Sequence, residues 1–281
     1  MSQVNASQPL LEVRHLTKVF GSRETEVRAV DDVSFTVQRG EIVAIVGESG
    51  SGKSTLARLL LRLTDATSGE ILMNGTDVTQ IRGSRNLKPY WREVQGIFQN
   101  PVASFNQFYS VGRVLRKTLK LTGRRYSRDE EQAKLSEALR TVGLDPVDVL
   151  PKGAHQLSGG QLQRAMIARA LLVDPKILIA DESTSALDAS LRVTILNVLR
   201  ELRDRLGMTV LFITHDIGQA NYVADRVFVM YRGEMVEQGT VDEVLGNPRH
   251  EYTRRLLADV PRLGSWGDEE ASTLQPVDAT A

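Results

Sequence analysis

The chain contains no cysteine, which excludes disulfides, thiolate zinc sites and cysteine-held iron–sulfur clusters. Excess charge is also missing: Lys plus Arg and Asp plus Glu number 35 each, so the summed charge gives no electrostatic footprint for nucleic acid or an anionic surface. No apolar run approaches 18 residues, so no segment is expected to span a bilayer. The first eight residues are polar and lack the basic region and apolar core of a signal peptide. What remains is a 281-residue chain, 41% apolar and 25% charged, with the composition of a globular protein.

The chain is organised around Gly47-Glu48-Ser49-Gly50-Ser51-Gly52-Lys53-Ser54, which fits the phosphate-loop pattern G-x-x-x-x-G-K-[ST]. Before it, Ile42 to Val46 is uniformly apolar, as in a parallel strand buried on both faces. After it, Thr55 to Leu61 favours helix. Strand, loop and helix are the context the pattern needs. Glycines let the backbone close around phosphate oxygens, and N–H groups of the loop and helix start point at the anion. Lys53 reaches the outer phosphates, and the Ser54 hydroxyl suits Mg²⁺.

Leu10 to Phe20 and Val27 to Val37 read as strands, and Glu70 to Met73 followed by Asn74-Gly75 reads as a hairpin. Phe20 precedes a polar connection; its ring can stack on a base or close the strand end as core. From Val111 to Val142 the composition turns charged and helical. Arg128 opens a helix with apolar positions at Ala133, Leu135, Ala138, Leu139 and Val142. Residues from about Gln99 to Leu172 read as a helical insertion in an α/β domain. Gln156 to Gln161 then supplies a second Ser/Gly helix start, able to hold an anion or simply to cap the helix.

Lys176 to Ala180 is another buried strand, ending in Asp181-Glu182 at the sheet edge where ligands of open α/β sheets bind. Asp181 can hold Mg²⁺ through water, and Glu182 can orient or deprotonate an attacking water. Asp188 caps a helix with Leu191, Ile195, Val198, Leu202 and Leu206 at core spacing. Thr209 to Thr214 is a further strand, and His215 at its end can meet a γ-phosphate or the attacking water. Arg226 to Met230 and Gly233 to Glu237 form a hairpin through Tyr231-Arg232. The tail from Gly264 is expected to be disordered.

Taken in order and spacing, these motifs resemble the ATP-binding subunits of ABC transporters from about Leu10 to Arg262. The phosphate loop, Gln99, Leu157 to Gln161, Asp181-Glu182, Ser185 to Asp188 and His215 look like that family's Walker A, Q-loop, signature, Walker B, D-loop and switch-histidine elements. The resemblance implies an α/β fold: a P-loop NTPase core with an N-terminal antiparallel β-subdomain and an inserted α-helical subdomain at about residues 99–172. It implies a domain over residues 10–263, with a disordered start at 1–9, an extension at about 246–263 and a disordered tail at 264–281. ATP and Mg²⁺ are the implied cofactors. Glu182, His215 and Gln99 would be catalytic, and Ser54, Gln99 and Asp181 would attend the metal. Phe20 would stack on adenine. Gly47, Ser49, Gly50, Ser51, Gly52, Lys53, Ser54 and Thr55 would hold the phosphates. Ser158, Gly160, Gln161 and Asp188 would meet the nucleotide of a second subunit in a sandwich dimer.

Within the family the chain is most similar to importers for oligopeptides, dipeptides and nickel, through Gly47 to Gly50, Asn100-Pro101 and Asn247 to Leu257. Three departures stand out. Glu251 replaces a proline of the last segment, Ser183 replaces the proline after the catalytic Glu, and Ala103 to Tyr109 looks more like relatives carrying β-linked oligosaccharides. The implied partners are a second ATP-binding subunit (paralogue or copy), two transmembrane permease subunits and an extracytoplasmic solute-binding protein, with no nucleic acid. The implied place is peripheral, at the cytoplasmic face of the cell membrane. Phe105, Phe108 and Tyr109 can line the groove that takes a permease helix, or belong to the core. The competing reading is a non-transport ATPase of the same superfamily acting on nucleic acid or ribosomes.

Overall fold

The structure, a computed structural model, describes residues 8–21, 25–98, 105, 108–184 and 188–258. Its centre is a six-stranded sheet. The central strand β3 (Ile42–Val46) lies between β8 (Thr209–Thr214) and β9 (Arg226–Tyr231). Beyond β8 come β7 (Ile177–Asp181) and β6 (Val94–Ile97), and these five strands are parallel. β10 (Glu234–Thr240) closes the far edge antiparallel to β9. Every residue of β3, β7 and β8 is buried, because helices and a second sheet cover both faces.

Side-chain alternation divides the core in two. Ile42, Ala44 and Val46 face a cluster with α6 (Gly159–Leu171) and α7 (Ala189–Leu206). Val43 and Ile45 face α1 (Lys53–Leu60) and a four-stranded antiparallel sheet. That sheet has the order β2 (Val27–Val37), β1 (Leu11–Phe20), β4 (Ser68–Met73), β5 (Thr76–Asp77). Asn74 and Gly75 turn β4 into β5 with φ of 52° and 75°, the left-handed pair that a two-residue hairpin needs.

Among the described residues between β6 and α6 run α3 (Val111–Leu119), α4 (Arg128–Thr141) and α5 (Pro146–Val149). α4 starts in a reciprocal capping box: the Ser127 hydroxyl accepts from the Glu130 N–H and the Glu130 carboxylate accepts from the Ser127 N–H. α8 (Ile217–Val223) follows β8, and α9 (Glu251–Ala258) is the last described helix.

Four local expectations need correction. The β9–β10 turn is Arg232-Gly233, one residue later than the pattern indicates, with φ of 48° and 89°. The helix α2 (Ser84–Glu93) is not anticipated from sequence: Leu87, Tyr90 and Trp91 do fall at helical spacing, but Pro89 lies inside it and argues against a helix there. Ala133 is exposed, since the buried stripe of α4 runs through Leu135, Ala138 and Leu139 and Ala133 lies off it. Leu206 is exposed at the end of α7, where Gly207 terminates the helix, and Leu191 is only half-buried.

Candidate functional site

β3 delivers the phosphate loop to the carboxyl edge of the sheet. Two of its glycines have no alternative. A Cβ on Gly47 (φ 152°) would lie 2.2 Å from the Met230 carbonyl oxygen, and one on Gly52 (φ 104°) would lie 2.1 Å from that of Ala29. The loop is therefore wedged between β9 and β2. The Gly233 N–H donates to the Ser51 carbonyl at 3.0 Å and ties it to the β9–β10 turn. Lys53 is buried and donates to the carbonyls of Gly47 and Glu48, both at 2.7 Å, and to Ser51 Oγ at 3.2 Å. Burial lowers its pKa, while the carboxylates of Glu182, Asp181 and Glu48 act in the opposite direction.

Asp181 ends β7 beside this loop. The Ser54 hydroxyl donates to Asp181 Oδ1 at 3.1 Å, joining α1 to β7. Burial raises the Asp181 pKa, against the hydrogen bond from Ser54, which favours the ionised form. A cradle too tight for a Cβ, a buried ammonium and a hydroxyl–carboxylate pair suit a polyphosphate with a hard, oxygen-loving cation such as Mg²⁺.

Glu182 takes φ of 46°, an uncommon left-handed conformation for a residue with a side chain, and its N–H donates to the Ile213 carbonyl at 2.9 Å. The kink costs on the order of 1–2 kcal/mol and re-aims the chain at the strand end. The Glu182 carboxylate stands 3.5 Å from His215 Nδ1. Two residues on, the Thr184 hydroxyl donates to Gln219 Oε1 at 2.6 Å, and Gln219 Nε2 donates to Asp216 at 2.9 Å. Asp216 also caps α8 through the Gln219 N–H. The turn after Glu182 and the turn after His215 are thus tied together. The sequence carried a signal for this: Asp216 followed three residues later by Gln219 is a helix-start pattern.

The other candidate residues form a separate group on α6 and α7. Ser158 caps α6, accepting from the Gln161 N–H at 3.2 Å, while Gln161 Oε1 accepts from the Ser158 N–H at 3.0 Å. Gly160 packs closely against α7: a Cβ there would lie 2.8 Å from Leu191 Cδ2, so the leucine would have to shift. Asp188 caps α7, accepting from the Leu191 N–H at 3.0 Å. That hydrogen bond, first among its influences, lowers the Asp188 pKa. Two helix N-termini therefore lie side by side, with Ser158 exposed.

Phe20 is not core: it is 45% exposed, with Lys18 Nζ 5.0 Å from its ring centroid. It pairs with Val27, two residues from the Ala29 that abuts Gly52. Ser49, Gly50 and Thr55 complete the loop and the start of α1, with the first two exposed. Gln99, Asn100-Pro101 and Ser185 to Leu187 lie outside the described residues, as do parts of Ala103 to Tyr109. Of that last stretch, Phe105 is buried in the core and Phe108 is 83% exposed. Tyr109 is half-buried beneath Arg113 and Lys117.

Comparisons agree with this geometry. A family model described as "ABC transporter" matches residues 30–185. The chain is 42% identical over 255 residues to the oligopeptide transport ATP-binding protein OppF of Bacillus subtilis (strain 168), covering 91% of this chain and 83% of that one. It is 38% identical over 268 residues to the dipeptide transport ATP-binding protein DppF of Haemophilus influenzae, covering 93% and 81%. Among solved structures, the ATP-binding cassette MJ0796 in a dimeric post-hydrolysis state bound to ADP and Pi matches with TM-score 0.74 and 28% identity over 82% of this chain and 98% of that one. The cbiO1 protein of Clostridium perfringens matches with TM-score 0.76 and 29% identity over 92% and 98%. With a P-loop NTPase fold and a family match over more than half its length, the chain belongs to the ABC transporter family and is an ATPase of it.

Proposed function

We propose that this ATPase powers an importer of peptides, as one of two ATP-binding subunits docked on two permease subunits at the cytoplasmic face of the membrane. An extracytoplasmic binding protein delivers the solute. The relatives named for oligopeptide and dipeptide transport support the solute class. No described helix is long and apolar enough to cross a membrane, so the membrane route belongs to partner chains. The extension at about 246–263 and the helical region at about 99–172 are assigned to the same cassette, residues 10–263.

The observation that carries the chemistry is the edge at which the Ser54–Asp181 hydrogen bond and the Glu182–His215 approach share one sheet end with Lys53. ATP is the substrate, with Phe20 against the adenine and residues 47–55 around the phosphates. Ser54, Asp181 and Gln99 attend Mg²⁺, which when bound offsets the negative charge of the phosphates. Glu182 orients the attacking water and accepts its proton, and His215 and Gln99 complete the polar ring around that water. Ser158, Gly160, Gln161 and Asp188 present their helix starts to nucleotide held by the second subunit, so the closed pair forms around ATP and opens after hydrolysis.

The test is reconstitution with the co-purifying permease and a binding protein. Stimulation of ATP hydrolysis by peptide-loaded binding protein supports the proposal. Stimulation by oligosaccharide-loaded protein replaces the solute class. Stimulation by nucleic acid or ribosomes without membrane subunits overturns it.

A further inference from the structure

The segment from Asn247 to Ala258 takes no part in the chemistry above, yet it reaches the phosphate loop. Glu237 of β10 fixes its start: the two carboxylate oxygens accept from the Arg249 N–H at 2.8 Å and the His250 N–H at 3.1 Å. His250 Nδ1 in turn accepts from the Tyr252 N–H at 3.2 Å, so the imidazole caps α9. The Tyr252 ring then stacks on Tyr231, with centroids 4.1 Å apart and 29° between planes. Its hydroxyl oxygen accepts a hydrogen bond from the Glu48 N–H at 2.9 Å. One turn along α9, Arg255 stands 3.9 Å from the Glu48 carboxylate.

We infer that Tyr252 is a positioning residue for the phosphate loop, its hydroxyl holding the Glu48 peptide so that the rest of the loop keeps its anion-binding shape. A phosphate loop works only while its N–H groups converge on one point. The second half of this loop is anchored by α1 and by Gly233 on Ser51. The first half is exposed at Glu48, whose carbonyl is taken by Lys53 and whose N–H is held by the Tyr252 hydroxyl of the late helix α9. Burial raises the Tyr252 pKa, so the phenol stays neutral through the physiological range. It is a hydrogen-bond acceptor for the Glu48 peptide and makes no contact with phosphate in this scheme.

The test is Tyr252→Phe in the full chain, which removes one oxygen and keeps the ring on Tyr231. The dissociation constant for MgADP and the KM for MgATP should rise about three- to tenfold, as expected for one lost hydrogen bond. The kcat should stay within about twofold, because the reacting groups are untouched. Amide exchange at Glu48 should accelerate while amides of β3 and β7 keep their protection. Glu48→Pro removes the donor, so adding Tyr252→Phe to it should change MgADP affinity no further. Unchanged affinity and unchanged Glu48 exchange in Tyr252→Phe would overturn the inference. So would exchange that accelerates evenly across the sheet, or an equal loss of affinity in the Glu48→Pro background.

Discussion

At Glu182 the backbone carries a left-handed kink, and the side chain beyond it is aimed between the phosphate loop and His215. A carboxylate there can take a proton from water; an amide of the same shape cannot. Glu182→Gln should leave MgATP binding intact and slow single-turnover hydrolysis by about 10²–10⁴-fold. Near wild-type turnover would hand the water to His215. Lys53→Ala should instead weaken binding itself, since it removes the buried ammonium proposed to meet the ground-state phosphates, and comparing the two in one titration separates binding from chemistry. Phe20→Ala should weaken ATP binding by about 1–3 kcal/mol, the range for base–aromatic stacking, with Phe20→Tyr nearly silent. Equal affinities for all three proteins would remove the ring from the adenine site. Ser183 makes a different kind of case. It is buried and its hydroxyl has no hydrogen-bond partner among the described residues, so Ser183→Ala should hold or raise the melting temperature. A clear drop in the melting curve would reveal a partner for that hydroxyl. The loop, Asp181, Glu182 and His215 were legible from sequence because each follows a buried apolar strand, and parallel strands put their ends on one edge. Tyr252 was not, because its partner lies 204 residues away and a phenol in a late helix carries no local sign of that.

Among the elements, the parallel strands read clearly as β-branched apolar runs, while α2 was hidden by the proline inside it, although Leu87, Tyr90 and Trp91 fall at helical spacing. The two side-by-side helix starts on α6 and α7 make predictions of their own. Ser158→Arg should leave nucleotide bound to the mutant's own loop, yet block closure onto a second subunit and abolish turnover. Full activity in that variant would remove the shared site. Asp188 adds a pH dependence. Its pKa is depressed by the Leu191 N–H, so the unfolded chain binds its proton more readily than the folded one. The cap's contribution is therefore present above the ordinary carboxylate range and lost as pH falls through the depressed folded value. Asp188→Asn should flatten that acid limb of the stability curve in chemical denaturation, and an unchanged limb would assign the acid sensitivity elsewhere.

On the scale of the whole molecule, the strand order sets when the site comes into being during synthesis. β3 is complete by residue 46, but its neighbours in the sheet are residues 209–214 and 226–231. The wall against Gly47 is the Met230 carbonyl, and the tie on Ser51 comes from Gly233. A ribosome that has made two hundred residues therefore holds a phosphate-loop sequence that lacks the β9 wall and the Gly233 tie of its cradle. Contacts so distant along the chain form late and slowly. Nascent chains arrested with residue 200 outside the exit tunnel should fail to retain MgADP on a nucleotide column, whereas chains arrested with residue 258 outside should be retained. With that outcome, nucleotide would stabilise a finished cassette and leave the truncated product of a broken message without the stabilisation that ligand confers.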